Sequence, residues 1–296
     1  MSLIMNKAKN PGLILAVASP LAFTGFNIGV RFITEHMSIF GLLFLRGCIG
    51  VVVISLVARL FKRPLWGRNV KLLSIIGFTA FLSTACTTTA ITLIPLYQAM
   101  VILYLFPTFA IILSAVINGE KIIPRDGLTV ALALTGCLLL IWPDETAGLT
   151  FQAGHLIGIL GSVLYSLGYV LARRLGDDNS GLEPIFHYSF YCALGAIPLS
   201  LLFGDSLGID APVEVLAGLA LGAVGSIGQL MGYAAVRWLP AFTVGVIGSL
   251  EVLGGALASW LLFSDPMTIR AVIGGVIIVV VALCPRRAAE AERQAE

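Results

Sequence analysis

Ala90-Ile91-Thr92-Leu93-Ile94-Pro95 falls, at a shift of 145, on Ala235-Val236-Arg237-Trp238-Leu239-Pro240, with the alanine and the proline shared. The register holds onward from there, with Val101, Leu105, Ser114 and Glu120 falling on Val246, Leu250, Ser259 and Asp265. Towards the N-terminus, Ile39-Phe40 and Phe44 fall on Ile185-Phe186 and Phe190 at a shift of 146, and Gly12, Phe23 and Arg31 on Gly154, Tyr165 and Arg173 at a shift of 142. A nearly constant shift over most of a chain marks an internal duplication. It divides this sequence into two units, 11–143 and 154–285.

Both units are written for lipid. Hydrophobic residues make up 58% of the 296 and charged ones 11%, against about a quarter in soluble domains; mean hydropathy is +0.99. A helix needs about 20 apolar residues to cross the hydrocarbon, and runs of that length fit 12 to 33, 38 to 60, 71 to 93, 96 to 117, 126 to 143, 154 to 174, 184 to 204, 213 to 236, 239 to 263 and 267 to 285. Runs so long exclude a β-barrel, whose strands alternate. The expected architecture is therefore all-α and integral to the membrane, with ten transmembrane helices. Five spans per unit is an odd number, so the second unit enters the bilayer inverted relative to the first, around a central cavity, as in many secondary transporters.

Charge placement orients the chain. Lys7, Lys9, Arg59, Lys62, Arg63, Arg68, Lys71, Lys121, Arg125, Arg173, Arg174, Arg237, Arg286, Arg287 and Arg293 fall on one side of that arrangement, and only Arg31 and Arg270 on the other. The positive-inside bias places both termini in the cytoplasm, with the loops at Asp144-Glu145 and from Asp205 through Asp210 to Glu214 outside. The first apolar run continues to about Val30, beyond the ~7–15 residues of a signal-peptide core, so it is expected to be a retained span. A net charge of +2 excludes an electrostatic nucleic-acid binder. Cys48, Cys86, Cys137, Cys192 and Cys284 all lie in apolar runs without metal-type spacing, so neither disulfides nor a metal site is expected.

Ile94-Pro95-Leu96-Tyr97-Gln98-Ala99, followed by Tyr104-Leu105-Phe106-Pro107-Thr108 and Asn118-Gly119-Glu120-Lys121, resembles the EamA-type repeat of the drug/metabolite transporter superfamily, as does Arg46 early in the second span. Ser264-Asp265 replaces the Gly-Glu pair in the second unit. The resemblance implies ten helices, a central cavity and transport of amino acids, nucleoside-like metabolites or vitamins. Within the superfamily the Tyr104 to Thr108 run is similar to that of the aromatic amino acid exporters. An exporter of amino acids in a bacterial-type inner membrane is the first expectation, and an importer of a nucleoside-like or vitamin metabolite the alternative.

Glu251 is the only carboxylate in the middle of an expected span, where charge costs about 2.5–3.5 kcal/mol on insertion scales. It is either a proton-coupling or substrate-ammonium site or a helix-bridging carboxyl. Arg46 suits a substrate carboxylate through its planar fork, but its depth favours snorkelling or a structural ion pair. Asn27, Tyr97, Gln98, Tyr104, Tyr165, Tyr169, Gln229 and Tyr233 are candidate substrate-binding side chains, since hydroxyls and amides can orient a solute in an apolar pocket. Tyr97, Tyr188 and His187, near span ends, also suit an interfacial belt. Gly25 and Gly29, with Gly218, Gly222, Gly225, Gly228 and Gly232, provide close helix packing. Pro20, Pro107 and Pro198 place kinks inside helices.

No H-E-x-x-H, G-x-S-x-G or Walker loop is present, which argues against an enzyme and against direct use of ATP by this chain. No charged ring or carbonyl filter suggests a channel. The expected partners are a small-molecule substrate and the bilayer, with no nucleic acid, cofactor or metal.

Overall fold

The computed structural model describes residues 2–119, 124–142, 151–175, 181–209, 211–235, 237–239 and 241–282. Glu120, Lys121, Asp144, Glu145, Asp210, Pro240, Cys284, Arg286, Arg287 and Arg293 lie outside them. The chain runs through α1 (Ser2–Ile33), α2 (Ile39–Leu60), α3 (Val70–Leu93), α4 (Leu96–Leu103), α5 (Phe106–Asn118), α6 (Pro124–Ile141), α7 (Ala153–Ala172), α8 (Leu182–Leu202), α9 (Pro212–Ala235), α10 (Ala241–Gly248), α11 (Leu250–Leu262) and α12 (Ile269–Ala282). Among the described residues there is no strand.

Seven segments are long and apolar enough to cross a membrane: Pro11–Ile33, Ile39–Leu60, Val70–Leu93, Leu96–Asn118, Ala153–Ala172, Leu182–Leu202 and Pro212–Ala235. Gly127–Ile141, Leu250–Leu262 and Ile269–Val281 are shorter apolar helices. The molecule is a multi-pass membrane protein.

Two spans expected to be continuous are broken. The 96–117 run divides at Tyr104-Leu105 into α4 and α5. Pro107, expected inside a helix, sits instead in the first turn of α5. Its ring would meet the carbonyl of Leu103, four residues back, in a continuous helix, so the chain turns before it. The 239–263 run divides at Ser249. No proline forces this second break; it falls at Gly248-Ser249, a pair at which helices commonly kink. Tyr104 and Ser249 are equivalent at the 145-residue shift. Pro20 and Pro198 do lie inside α1 and α8.

The principal packed pairs are α3 with α7, α1 with α9, α2 with α8, α2 with α9, α3 with α8, and α6 with α12. Exchanging each helix of the first unit for its counterpart in the second returns the same set of pairs. Glycines set the approach: a Cβ on Gly47 of α2 would strike the backbone of Ala193 on α8, with Ala193 Cα at 2.7 Å. Where α6 crosses α12, a Cβ on Gly136 would lie 2.8 Å from the carbonyl oxygen of Gly274, and one on Gly274 would strike the carbonyl oxygen of Gly136.

Connections sort to two ends. At one, Ser38 donates to Asp205 at 2.6 Å, Arg31 reaches Ile94 and Asp265, and Gln98 meets His155. At the other, His187 meets the Trp66 carbonyl, Arg174 bonds Asn118, and Gly181 lies against Tyr233. Helix α4 is enclosed near the first end by α3, α7, α11 and α12, with every side chain from Leu96 to Ile102 buried.

Candidate functional site

Consecutive residues of α1 hold two opposite charges. Phe26 lies beneath the Arg46 guanidinium, whose Cζ is 4.0 Å from the ring centroid. Asn27 donates through Nδ2 to Oε1 of Glu251 at 2.9 Å, and the same amide nitrogen lies 3.1 Å from the sulfur of Met100. Glu251 stands in the first turn of α11, just past the break in that span.

Arg46 does not snorkel. It is 6% exposed, with the Tyr188 ring 5.5 Å away on α8. Gly222 and Gly225 of α9 make room for it: a Cβ on Gly222 would lie 2.7 Å from Arg46 Cα, and one on Gly225 3.2 Å from Cζ. The expected ion pair is also absent among the described residues, where Arg31–Asp265 is the one salt bridge. Every fully buried side-chain nitrogen and oxygen there has a partner. The Arg46 nitrogens have none among the described residues, so they are not fully covered.

Near Glu251 stand the aromatics of the first break and of α7 and α9. Tyr104 donates to the Gly248 carbonyl at 2.5 Å. Phe106 meets Tyr165 edge-on at 5.0 Å and Tyr169 at 6.1 Å. Tyr165 lies close enough to Glu251 and Tyr233 to interact electrostatically with both. Tyr165, Tyr169 and Tyr233 keep 45, 52 and 42% of their surface exposed. The first two belong to α7 and the third to α9, which are not among the principal packed pairs. Gln229, also on α9, is half-buried.

Tyr97 and Gln98 are placed elsewhere. Each is 2% exposed and part of a polar network at the first end. Tyr97 donates to the Pro266 carbonyl at 3.1 Å and accepts from Gln98 Nε2 at 3.1 Å. Gln98 Oε1 accepts from Nε2 of His155 at 3.0 Å, leaving Nδ1 to accept from the Gln152 amide. The carboxylate of Asp265 takes the hydroxyl of Ser259 and the amide of Leu96, the latter at 3.3 Å, and pairs with Arg31 at 3.8 Å. Arg31 also donates to the carbonyls of Ile91 and Ile94 at 2.6 and 2.7 Å. Sequence reasoning singled out none of Arg31, His155 and Ser259 for such a role. The repeat register did pair Ser259 with Ser114 and Asp265 with Glu120, which was the available signal. His187 is fully buried against Trp66 at the second end, and Tyr188 faces Arg46, so neither belongs to an exposed belt.

A polytopic helical fold with two broken spans, opposed charges held by one helix and aromatics beside them has the layout of a membrane carrier. The EamA-like transporter family model matches residues 10–142 and 152–284, and the chain belongs to that family. It is 28% identical over 277 residues to the pseudopaline exporter CntI of Pseudomonas aeruginosa, covering 93% of this chain and 96% of that one. It is 26% identical over 205 residues to an uncharacterized transporter of Archaeoglobus fulgidus, covering 67% and 70%. A crystal structure at 21% identity superposes with a TM-score of 0.58 over 93% of this chain and 96% of its own, a likeness of fold.

Proposed function

We propose that this protein is a secondary carrier that exports small amphipathic metabolites, amino acids first, by alternating access between two inverted five-span halves. The observation that carries the reading is the exchange relation among the helix pairs, joined to the equivalence of the breaks at Tyr104 and Ser249. Seven long segments, the shorter α6 and α12, and α10 with α11 taken as one broken span make ten. Units 11–143 and 154–285 are then the halves, and an odd number of spans in each inverts the second. A broken helix brings a helix N-terminus to mid-membrane, where transporters bind solutes. Similarity to an exporter over nearly the whole chain supports the outward direction.

In this reading Asn27, Tyr104, Tyr165, Tyr169, Gln229, Tyr233 and Glu251 face the solute, with Arg46 beside them. Tyr97 and Gln98 belong to the seal at the external end, and a gap between α7 and α9 opens towards the cytoplasm. The membrane is the bacterial-type inner membrane, with both termini inside. Counterflow of labelled amino acids in proteoliposomes is the test: a carrier exchanges internal for external solute, and a channel does not. Flux restricted to sugars or multiply charged phosphates overturns the amino acid assignment.

A further inference from the structure

Arg46 stands out among the polar groups because its surroundings satisfy it only in part. Its two aromatic neighbours, Phe26 at 4.0 Å and Tyr188 at 5.5 Å, attract the cation through their ring faces. Neither ring face accepts a hydrogen bond, the Tyr188 hydroxyl is in hydrogen-bond contact with Thr84, and the guanidinium has five N–H donors in a planar fork. No carboxylate among the described residues lies within ion-pair distance. Gly222 and Gly225 crowd the stem and head from the α9 side, so the fork is fixed in place rather than free to extend to an interface.

The compensating charge sits nearby and is held by the next residue of the same helix. Phe26 supports Arg46 and Asn27 supports Glu251, so the cation of α2 and the anion of α11 rest against neighbouring positions of α1 without forming an ion pair. Glu251 is half-buried and its carboxylate has one bond in hand, from Asn27. A solute between them meets a forked donor on one side and an acceptor on the other.

Resting on the carrier reading above, the geometry points to Arg46 as the seat of a substrate carboxylate and Glu251 as the acceptor for an amine on the same molecule. The ligand class is a primary or secondary amine bearing a carboxylate, with its apolar part towards Phe106, Tyr165 and Tyr169. The arrangement discriminates by what it leaves unpaired. A bare amine leaves the guanidinium without its anion, and a bare acid adds a second negative charge beside Glu251; a zwitterion satisfies both.

The test uses the full chain in proteoliposomes, with phenylalanine counterflow challenged by phenethylamine, 3-phenylpropionate and 2-phenylethanol. The wild-type protein is expected to prefer phenylalanine to each analogue by about tenfold or more, as loss of one charge-assisted bond implies. Arg46→Gln should raise the KM for phenylalanine about tenfold while leaving competition by phenethylamine unchanged, and Arg46→Lys, keeping charge without the fork, should fall between. Glu251→Gln should improve competition by 3-phenylpropionate relative to phenethylamine. The competition series in the wild type needs no variant, so misfolding of Arg46→Gln cannot shelter the proposal. Equal competition by all three analogues, or a normal phenylalanine KM in folded Arg46→Gln, overturns it. Counterflow of 2-phenylethanol alone overturns this assignment and leaves the carrier reading standing, whereas no counterflow of any solute overturns the carrier reading and this one with it.

Discussion

The hydroxyl of Tyr104 donates to the main-chain carbonyl of Gly248 at 2.5 Å, joining the break of one span to the break of its repeat partner. Ser162 and Ser166 of α7 do the same service for the carbonyls of Leu103 and Phe106, at 3.2 and 2.6 Å. In lipid, backbone groups freed by a break need such partners. Tyr104→Phe removes the hydroxyl and leaves the Gly248 carbonyl without it, which costs about 1–3 kcal/mol for a buried acceptor. The variant should melt at a lower temperature in detergent. A thermal midpoint equal to that of the wild type would show that the cross-break bond adds nothing.

Asp265 gathers Ser259, Leu96 and Arg31 at the first end. Asp265→Asn keeps the shape and removes the charge that Arg31 meets. Each 1.4 kcal/mol lost from the closed state shifts its ratio to an open one about tenfold. A cysteine at fully buried Leu96 should therefore react faster with an externally added impermeant maleimide in the Asp265→Asn background. Equal labelling rates in the two backgrounds would mean that the network does not hold this end shut.

Glu251→Gln should fold and transport poorly. The amide oxygen still accepts from Asn27, so the bond at 2.9 Å survives, while the negative charge is lost. Its repeat equivalent is apolar Phe106, so the other half supplies no substitute. Normal elution on gel filtration with turnover reduced about tenfold or more is expected. Normal turnover in the folded variant would assign the carboxyl to helix bridging alone.

Two glycine substitutions should diverge. Gly47→Ala drives a methyl into the Ala193 backbone and should sharply reduce the yield of folded protein. Gly25→Ala, with nothing within 4 Å of the added carbon, should be neutral or stabilise α1 by about 0.5–1 kcal/mol. Similar melting points for both would contradict the close approach of α2 and α8.

Reporter fusions placed after residues 145 and 210 should both register outside the cell, given the basic bias towards the opposite face. A cytoplasmic signal at either position would invert or break the ten-span topology.

Much of the framework was legible because hydropathy and duplication are properties of the whole chain. Most helix positions follow from apolar length, and the repeat register located equivalent breaks without revealing that they were breaks. Pro107 offered a clue to the first, since the clash with Leu103 is local. Gly248-Ser249 gave only a weak one. The site was less legible because its contacts are long-range: Tyr188 reaches Arg46 from the other unit, and Glu251 reaches Asn27 from 224 residues away. Depth along a span made Arg46 look able to reach the interface; Phe26 and Gly225, unrelated to that depth, hold it inside. Tyr97 and Gln98 have the chemistry of solute-binding residues, but the burial of α4 turns them inward to His155 and the Pro266 carbonyl.

The crossing of α6 and α12 has a mechanical consequence. At Gly136 and Gly274 backbone lies against backbone, with the side chains of Ile277, Ile278 and Leu139 seated around the point of contact. Such a contact resists separation, because widening it opens a gap that nothing fills, and it makes this crossing the point of closest approach between the two helices. A tilt of α6 against α12 would therefore pivot at this closest approach, with the widest sweep at the helix ends farthest from those two glycines.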